Sequence, residues 1–551
     1  MALSKNGKKD MTGCDGLPGR LPRAPGRMTF RMEERGGADT PFGGGKAWAE
    51  AVNLSPRGHG EPATRLPRGL FSGGYGDGAP HGMVFFGGSL IFARGTGLYG
   101  TADGATIHLL GRVSDTRKSF CIFGDRLFIY PDKLCMEKGG MPKPLELDTG
   151  VIAQAQFSGN TLRLPSGYSW EALGFGVGDC LRVVNADDAT PAPEGYYRIQ
   201  KLHGGTATMV QSFPSTYTSD ARFLRVMPDL TACCVCGDRV YGIAGRRIHV
   251  SAAGSATDFY SRSTGDGTHA VTLQSDTEGD FTALSSWQGY VVFFKPDRIC
   301  KLLGNRADSF TLQDRQAVGL SSALAATLCE VGDGLYYASE GGVWRYRGQE
   351  PEWVCTLGGI TAEGGCGGTD GRAYYLAVSA GGRSLLSLYL PEERAWYPED
   401  GLAAGAMLCR EGRVWMQDET GSIRFSSSDG RPAEGSFSEE SAYGQARASL
   451  TLPADRTDEP SRLRPMALWI RATGRGMGTL RVYASFADGA SSIDATREAE
   501  VLLGEFSAPM TDRLLTVPVW AGACDAVTLR LEMTGEWIIH DVIRRYETVE
   551  A

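Results

Sequence analysis

The chain contains no run of about 18 apolar residues, so no segment is expected to cross a membrane as a helix. Its opening, MALSKNGKKDMTGCDGLPGR, has basic residues but no apolar stretch behind them, and is read as something other than a secretory signal. Histidine is scarce, seven in 551 residues, and no two lie close enough to suggest a metal pair. HExxH, GxSxG and the phosphate-binding loop are all missing. Only Cys233 and Cys236 of the thirteen cysteines have C-x-x-C spacing, and no second such pair completes a zinc set. The sequence therefore assigns no catalytic residue, no metal ligand and no cofactor-binding residue. Excess positive charge is also lacking. A net charge of -8 and a pI near 5.6 argue against a general binder of nucleic acid or anionic membranes. An acidic wall facing DNA remains compatible with that charge, because it repels a duplex and lets it slide.

Glycine is plentiful, with 75 copies against a typical share of about 7%. It serves tight turns and bulges, and long helical patterns are few, so many short strands are expected. Hydrophobic residues at 42% and charged residues at 22% make the composition globular. At this length two to four domains are expected. From about residue 81 a glycine repeatedly opens a short β-branched or aromatic run, and a turn and a second apolar run follow. The first runs are GGSLIF (87–92), GDRLFIY (124–130), GDRVYGI (237–243), GYVVFF (289–294), GLYYAS (334–339), GRAYYLAV (371–378) and GRVWMQ (412–417). Each reads as half of a β-hairpin. Tyr241, Phe293, Tyr336, Tyr374 and Trp415 follow one another at intervals of 52, 43, 38 and 41 residues. Hairpins repeating every 40–50 residues mark the blades of a β-propeller. A blade cannot bury both faces alone, and packing blades in a circle does so. Seven hairpins imply six or seven blades.

The expected order of domains follows. Residues 1–44 hold eight Lys/Arg against four Asp/Glu through Arg35 and form a flexible basic arm. Residues 45–147 are the first part of the propeller. Phe128 to Tyr241 spans 113 residues, far too many for one blade. The excess at 148–227 reads as a small β-barrel inserted into a blade, since long insertions in exposed loops cost little closure entropy. Residues 228–440 complete the propeller. After that, short alternating runs such as AVTLRLEM suggest a C-terminal β-sandwich over 441–551. The fold class is thus all-β.

Several residues invite a chemical reading, and each has an ordinary one. Cys234 and Cys236 share a strand face while Cys233 points the other way, and all the thiols read as small buried hydrophobes. His249 in RRIHVS reads as a surface residue of a strand. The Asp-rich segments 186–190 and 263–280 offer oxygens to calcium but lack the EF-hand spacing, and read as polar loops. TADGAT (101–106) and SSSDGR (426–431) faintly resemble the Asp-box turn of sialidase-like propellers without its aromatic residue. Trp344, Trp353 and Trp396 would suit sugar stacking, but blade cores also need large aromatics.

Three stretches resemble one family: WAEAVNLSPRGHGEPATRLPRG (48–69), PDLTACCVCGDRVYGIAGRRIHVSAAGSATDFYSRSTGDG (228–267) and FTALSSWQGYVVFFKPDRICKLLGN (281–305), the last trailed by GLYYASEGGVWRYRG. Their order and hairpin pattern resemble phage tail hub or nozzle proteins, including the packaged-DNA stabilisation group. Asp238 stands where such relatives often have Asn. The stretches FGVGDCLRVV and GYYRIQKL are similar to a small barrel in related prophage proteins. The resemblance implies a propeller with added β domains, in a homo-oligomeric ring below the portal, in contact with portal, adaptor or tail proteins and transiently with passing DNA. It implies a virion protein assembled in a host cytoplasm, no enzyme and no cofactor. A receptor- or glycan-binding tail protein and a sialidase-like glycoside hydrolase are the alternatives from other classes.

Overall fold

A computed structural model describes residues 27–30, 50–57, 61–186, 192–262, 265–339, 341–357, 361–399, 402–426, 447–456, 461–487, 500–519 and 521–550. The chain divides into two compact units, one of residues 68–391 with 401–437, the other of 1–67, 392–400 and 438–551.

Seven four-stranded antiparallel sheets are arranged as the blades of a propeller. Blade one comprises Pro80–Phe86, Ser89–Arg94, Gly97–Thr101 and His108–Arg112. The innermost strands of the next five are Ser119–Phe123, Ala232–Cys236, Ala283–Trp287, Cys329–Val331 and Gly364–Thr369. Blade seven takes three strands from Ala404–Arg410, Arg413–Asp418 and Ser422–Phe425, and its outermost from Gly69–Gly73 far earlier in the chain. That strand closes the ring by hydrogen bonds between the two ends of the propeller, with Gly69 opposite Phe425.

The recurring glycines have a clear cause. Gly124, Gly237, Gly332 and Gly412 turn the chain between the first and second strands of their blades at φ 57 to 68°. A side chain there meets the left-handed penalty, so glycine is favoured. The apolar run behind each glycine is the second strand, flanked on both sides and buried on both faces: Tyr290–Lys295 has five of six residues buried. Its side chains fill the gaps between blades. Tyr241, Ile243, Ile248 and Val250 of blade three pack on Val291, Phe293, Cys300 and Leu302 of blade four. Blades four and five meet through Phe294 against Tyr337, centroids 5.3 Å apart, and Trp287 against Tyr346 at 5.8 Å.

A closed six-stranded barrel, 147–225, stands between blades two and three, in the order 147–158, 161–163, 206–209, 195–203, 180–185, 217–225. Both flanking blades have all four strands, so the barrel joins two complete blades rather than interrupting one. Trp170, Phe157, Leu162, Leu181 and Phe223 form its interior.

The second unit is the β-sandwich. Two long strands, Ser461–Ala487 and Ala526–Glu550, pair along their whole length, from Ser461 opposite Glu550 to Ala487 opposite Ala526. Their register breaks between Arg475 and Thr479, where Gly476 and Gly535 adopt φ 64° and 83°. There the ladder turns a corner and continues as a second layer. Met510–Val517 extends one layer and Val501–Ser507 the other. Asp455, paired beside Val527 in one layer, accepts from Arg544 of the other at 2.9 Å.

Two boundaries differ from expectation. Glu50–Val52 pairs with Ser449–Thr451, and Glu61–Thr64 meets Ile538, so residues 50–64, expected in the propeller, belong to the sandwich, and the propeller starts at Gly69. Isolated short runs carry too little pattern to tell which sheet they join. Of the expected 1–44 arm, Arg27–Phe30 is a strand beside Arg544–Glu547; its remainder lies outside the described residues.

Candidate functional site

The innermost strand of each blade is the edge of its sheet, so one row of its backbone N–H and C=O groups faces the propeller axis rather than a neighbouring strand. Seven cysteines sit on these strands: Cys121, Cys233, Cys234, Cys236, Cys329, Cys366 and Cys409. Cys233 packs with the blade two–three interface, while Cys234 and Cys236 pack with blades three and four, the expected split of faces. Burial raises the Cys366 thiol to about 12, with Arg117 opposing the shift, so this thiol stays protonated near neutrality.

The segment 113–118 leads from the outer strand of blade one to the inner strand of blade two. Its backbone is held by one fully buried ammonium. Lys118 Nζ donates to the Ser114 carbonyl at 2.6 Å, the Ser114 hydroxyl at 2.8 Å and Asp132 Oδ2 at 2.6 Å. The other Asp132 oxygen accepts the Ser114 amide at 2.6 Å. Lys118 N donates to the His81 carbonyl at 2.8 Å, and His81 Nε2 lies 2.6 Å from Asp115 Oδ1. Burial pushes the Asp132 carboxyl up, but the bonds from Lys118 and Ser114 outweigh it and hold it below its ordinary value. Within this braced loop, Arg117 is the exception. It is exposed to water, and no hydrogen bond or ion pair engages it among the described residues.

Other buried cations also staple loops. Lys295 Nζ donates to Ser275 Oγ and the Thr277 carbonyl, both at 2.9 Å, and to the Glu278 carbonyl at 3.1 Å. Arg239 binds the carbonyls of Ser251 at 2.7 Å, Gly267 at 2.8 Å and His269 at 2.9 Å. The barrel is fastened to blade three in the same way. Thr257 Oγ1 donates to Asp179 Oδ1 at 2.7 Å, Ser255 Oγ to the Gly178 carbonyl at 2.8 Å, and Arg198 Nη2 to the Ala253 carbonyl at 2.8 Å. Asp179 also takes Arg225 Nη1 at 2.6 Å.

The residues singled out in the sequence are scattered. His249 is buried, 7% exposed, rather than on a strand surface, because its strand is interior to its blade; it lies 3.2 Å from Thr272 Oγ1. Burial, reinforced by Arg247, lowers its pKa. In 263–280, the Thr277 and Glu278 carbonyls are engaged by Lys295, and Asp266 caps Thr268 N at 3.0 Å. Asp103 of TADGAT accepts the Ala105 and Thr106 amides at 3.0 and 2.8 Å, an ordinary turn. Segments 187–190 and 427–431 lie outside the described residues. Trp396 is buried, Trp344 is half-buried, and Trp353 is 57% exposed. Arg117 and Lys118, in SDTRKSF, carry no sequence signal that separates them from an ordinary charged loop.

No family profile and no curated protein matches the sequence. Among solved structures, the computationally designed Ika8 protein is 12% identical, the match covering 65% of this chain and 99% of that one at a TM-score of 0.33. BamB from Moraxella catarrhalis is 10% identical over 70% of this chain and 99% of its own, at 0.32. The extracellular domain of BT4673 from B. thetaiotaomicron is 10% identical over 80% of this chain, at 0.37, and the chain spans about half of it, 48%. Likenesses this distant carry nothing about what the chain does.

Proposed function

We propose that this chain is a structural protein of a phage tail, a hub, nozzle or head–tail joining component that forms a homo-oligomeric ring on the DNA exit path. The reading assigns no catalysis and no cofactor, and places the protein in the virion, against portal, adaptor or tail neighbours. One observation carries it. The stretch 228–267, which resembles the tail proteins, builds the first three strands of blade three and the loop whose Ser255 and Thr257 fasten the barrel. The resemblance thus falls on the joint between blade three and the barrel, where a load-transmitting particle component gains from buried polar contacts. Trp353, exposed on the outer strand of blade five, favours the glycan-binding alternative and is its natural test residue.

The test is quantitative mass spectrometry of purified particles. The proposal expects this chain at a fixed multiple-copy ratio to the portal protein. Its absence from DNA-filled particles overturns the proposal. Glycan-array binding that Trp353→Ala abolishes would favour the alternative.

A further inference from the structure

The barrel carries one outward face with charge of a single sign. Its strands 161–163, 206–209 and 195–203 lie side by side. Leu162 and Ala207 pack in the barrel core, so the residues on either side of them along each strand point outward. Arg163, Thr206 and His203 lie in register as one outward row, and Thr161, Thr208 and Lys201 as the next. Strand geometry puts neighbours within a row about 5 Å apart and the two rows about 7 Å apart. Arg163, Lys201 and His203 are exposed, and no hydrogen bond or ion pair engages them among the described residues. No carboxylate stands in either row. By contrast, Arg222 on another side of the barrel donates to Asp148 at 2.8 Å, and Arg464 of the sandwich to Glu547 at 3.4 Å. Cations gathered without an anion between them repel one another, and a polyanion laid across them removes that cost.

An aromatic ring borders the same face. The turn 204–205 joins the strands of His203 and Thr206, and the segment 164–170 is bonded to it. Leu164 N donates to the Gly205 carbonyl at 2.8 Å, Trp170 Nε1 to the same oxygen at 3.2 Å, and Trp170 N to the Gly204 carbonyl at 3.1 Å. A Cβ on Gly205 would lie 3.0 Å from the Tyr168 carbonyl oxygen, so the segment lies tight against the turn. Tyr168 is nevertheless 45% exposed, and no hydrogen bond or ring contact engages its side chain among the described residues. The buried Trp170 two residues on fixes the segment, so little ordering is lost when a ligand arrives.

We propose that this barrel face binds single-stranded nucleic acid, with Arg163 and Lys201 on its phosphates, His203 and the threonine hydroxyls as further hydrogen-bonding groups, and Tyr168 stacked on an unpaired base. Cations that follow a backbone beside an aromatic that stacks on bases are the combination by which single strands are held without regard to sequence. A duplex keeps its bases stacked inside and offers Tyr168 no free ring face, so the single strand binds more tightly. The face belongs to the barrel and stands whether or not the tail assignment holds.

The experiment is fluorescence anisotropy of a labelled oligothymidylate of about 12 nucleotides, titrated with the full chain over a series of salt concentrations. Saturable binding is expected, falling with salt at a log–log slope of roughly −1.4 for two phosphate contacts. Arg163→Gln combined with Lys201→Gln should weaken it by about tenfold or more and flatten the slope. Tyr168→Ala should weaken it severalfold and leave the slope alone. Arg222→Gln, away from the face, should bind like the wild type. Arg163, Lys201 and Tyr168 support no described side-chain contact, so their variants should melt like the wild type, which separates loss of binding from loss of fold. No binding at low salt, or binding unchanged in the double variant or in Tyr168→Ala, overturns the site. A duplex of the same length bound as tightly as the single strand overturns it too, and so does tighter binding of polygalacturonate, which would assign the face to an acidic polysaccharide.

Discussion

Replacing Lys118 by Met should destabilise the propeller by about 3–5 kcal/mol near neutral pH, the usual cost of breaking a buried ion pair from one side. The Lys118 side chain is fully buried, and Asp132 keeps 12% of its side-chain surface. Met fills similar volume, so the loss is electrostatic rather than a cavity. Asp132 is left with the Ser114 amide and hydroxyl as donors, and burial, no longer opposed by the ammonium, drives its carboxyl upward. The pH dependence follows. In the wild type the folded pKa is depressed, so the stabilisation is present above the unfolded value near 3.9 and is lost as pH falls through the lower folded value. In the variant the folded pKa rises, and the penalty fades as pH falls and Asp132 protonates. The gap between the two proteins should therefore be large at pH 7 and smaller near pH 4. At about 2.1 cal/mol/K per residue of unfolding entropy, a unit of roughly 360 residues loses roughly 4–7 °C of melting temperature. Scanning calorimetry of both proteins at several pH values measures this. A shift below about 1 °C at pH 7, or a gap that widens toward pH 4, would refute the electrostatic account of the brace.

Phe293, fully buried between blades three and four, should cost about 3–5 kcal/mol on truncation to Ala, read from the same calorimetry; a loss under 1 kcal/mol contradicts the interface. The barrel, expressed as 145–227, should fold alone, because its core is closed around Trp170; collapsed amide dispersion in its NMR spectrum would sink that expectation. Thr257→Val should leave the barrel folded but loosen it from blade three, raising the rate of proteolytic cleavage near 226–231 severalfold, and an unchanged rate would show the joint lies elsewhere. Elemental analysis should find well under one zinc per chain, since no three His, Cys, Asp or Glu side chains among the described residues are grouped to hold a metal; about one zinc per chain would refute this.

The propeller was legible because its second and third strands are long, apolar and opened by a turn glycine, as in GYVVFF and GDRVYGI. The inner strands were not. GGCGGT and the cysteine-rich ACCVC do not look like strands; in GGCGGT, a Cβ at Gly365 or Gly367 would collide with neighbouring backbone, so packing selects glycine there. The barrel announced itself as an interval too long for one blade, but whether it split a blade or joined two depended on strands as short as Lys143–Pro144. The composite sandwich was half legible. The alternation of AVTLRLEM is plain, while the partnership of Glu50–Val52 with Ser449–Thr451 spans the whole chain and leaves no local trace. The brace was invisible for a different reason. Arg117 and Lys118 are adjacent residues of the same charge, and only the fold separates the buried lysine from its exposed neighbour.

The most direct test of the tail assignment is electron cryo-microscopy of intact particles from the cells that make this chain. The account predicts a closed ring on the tail axis below the portal, into whose repeating density the seven-bladed propeller, the barrel and the sandwich fit as one subunit. Density for the propeller only on peripheral fibres, or a DNA-filled particle with no such ring, would contradict it.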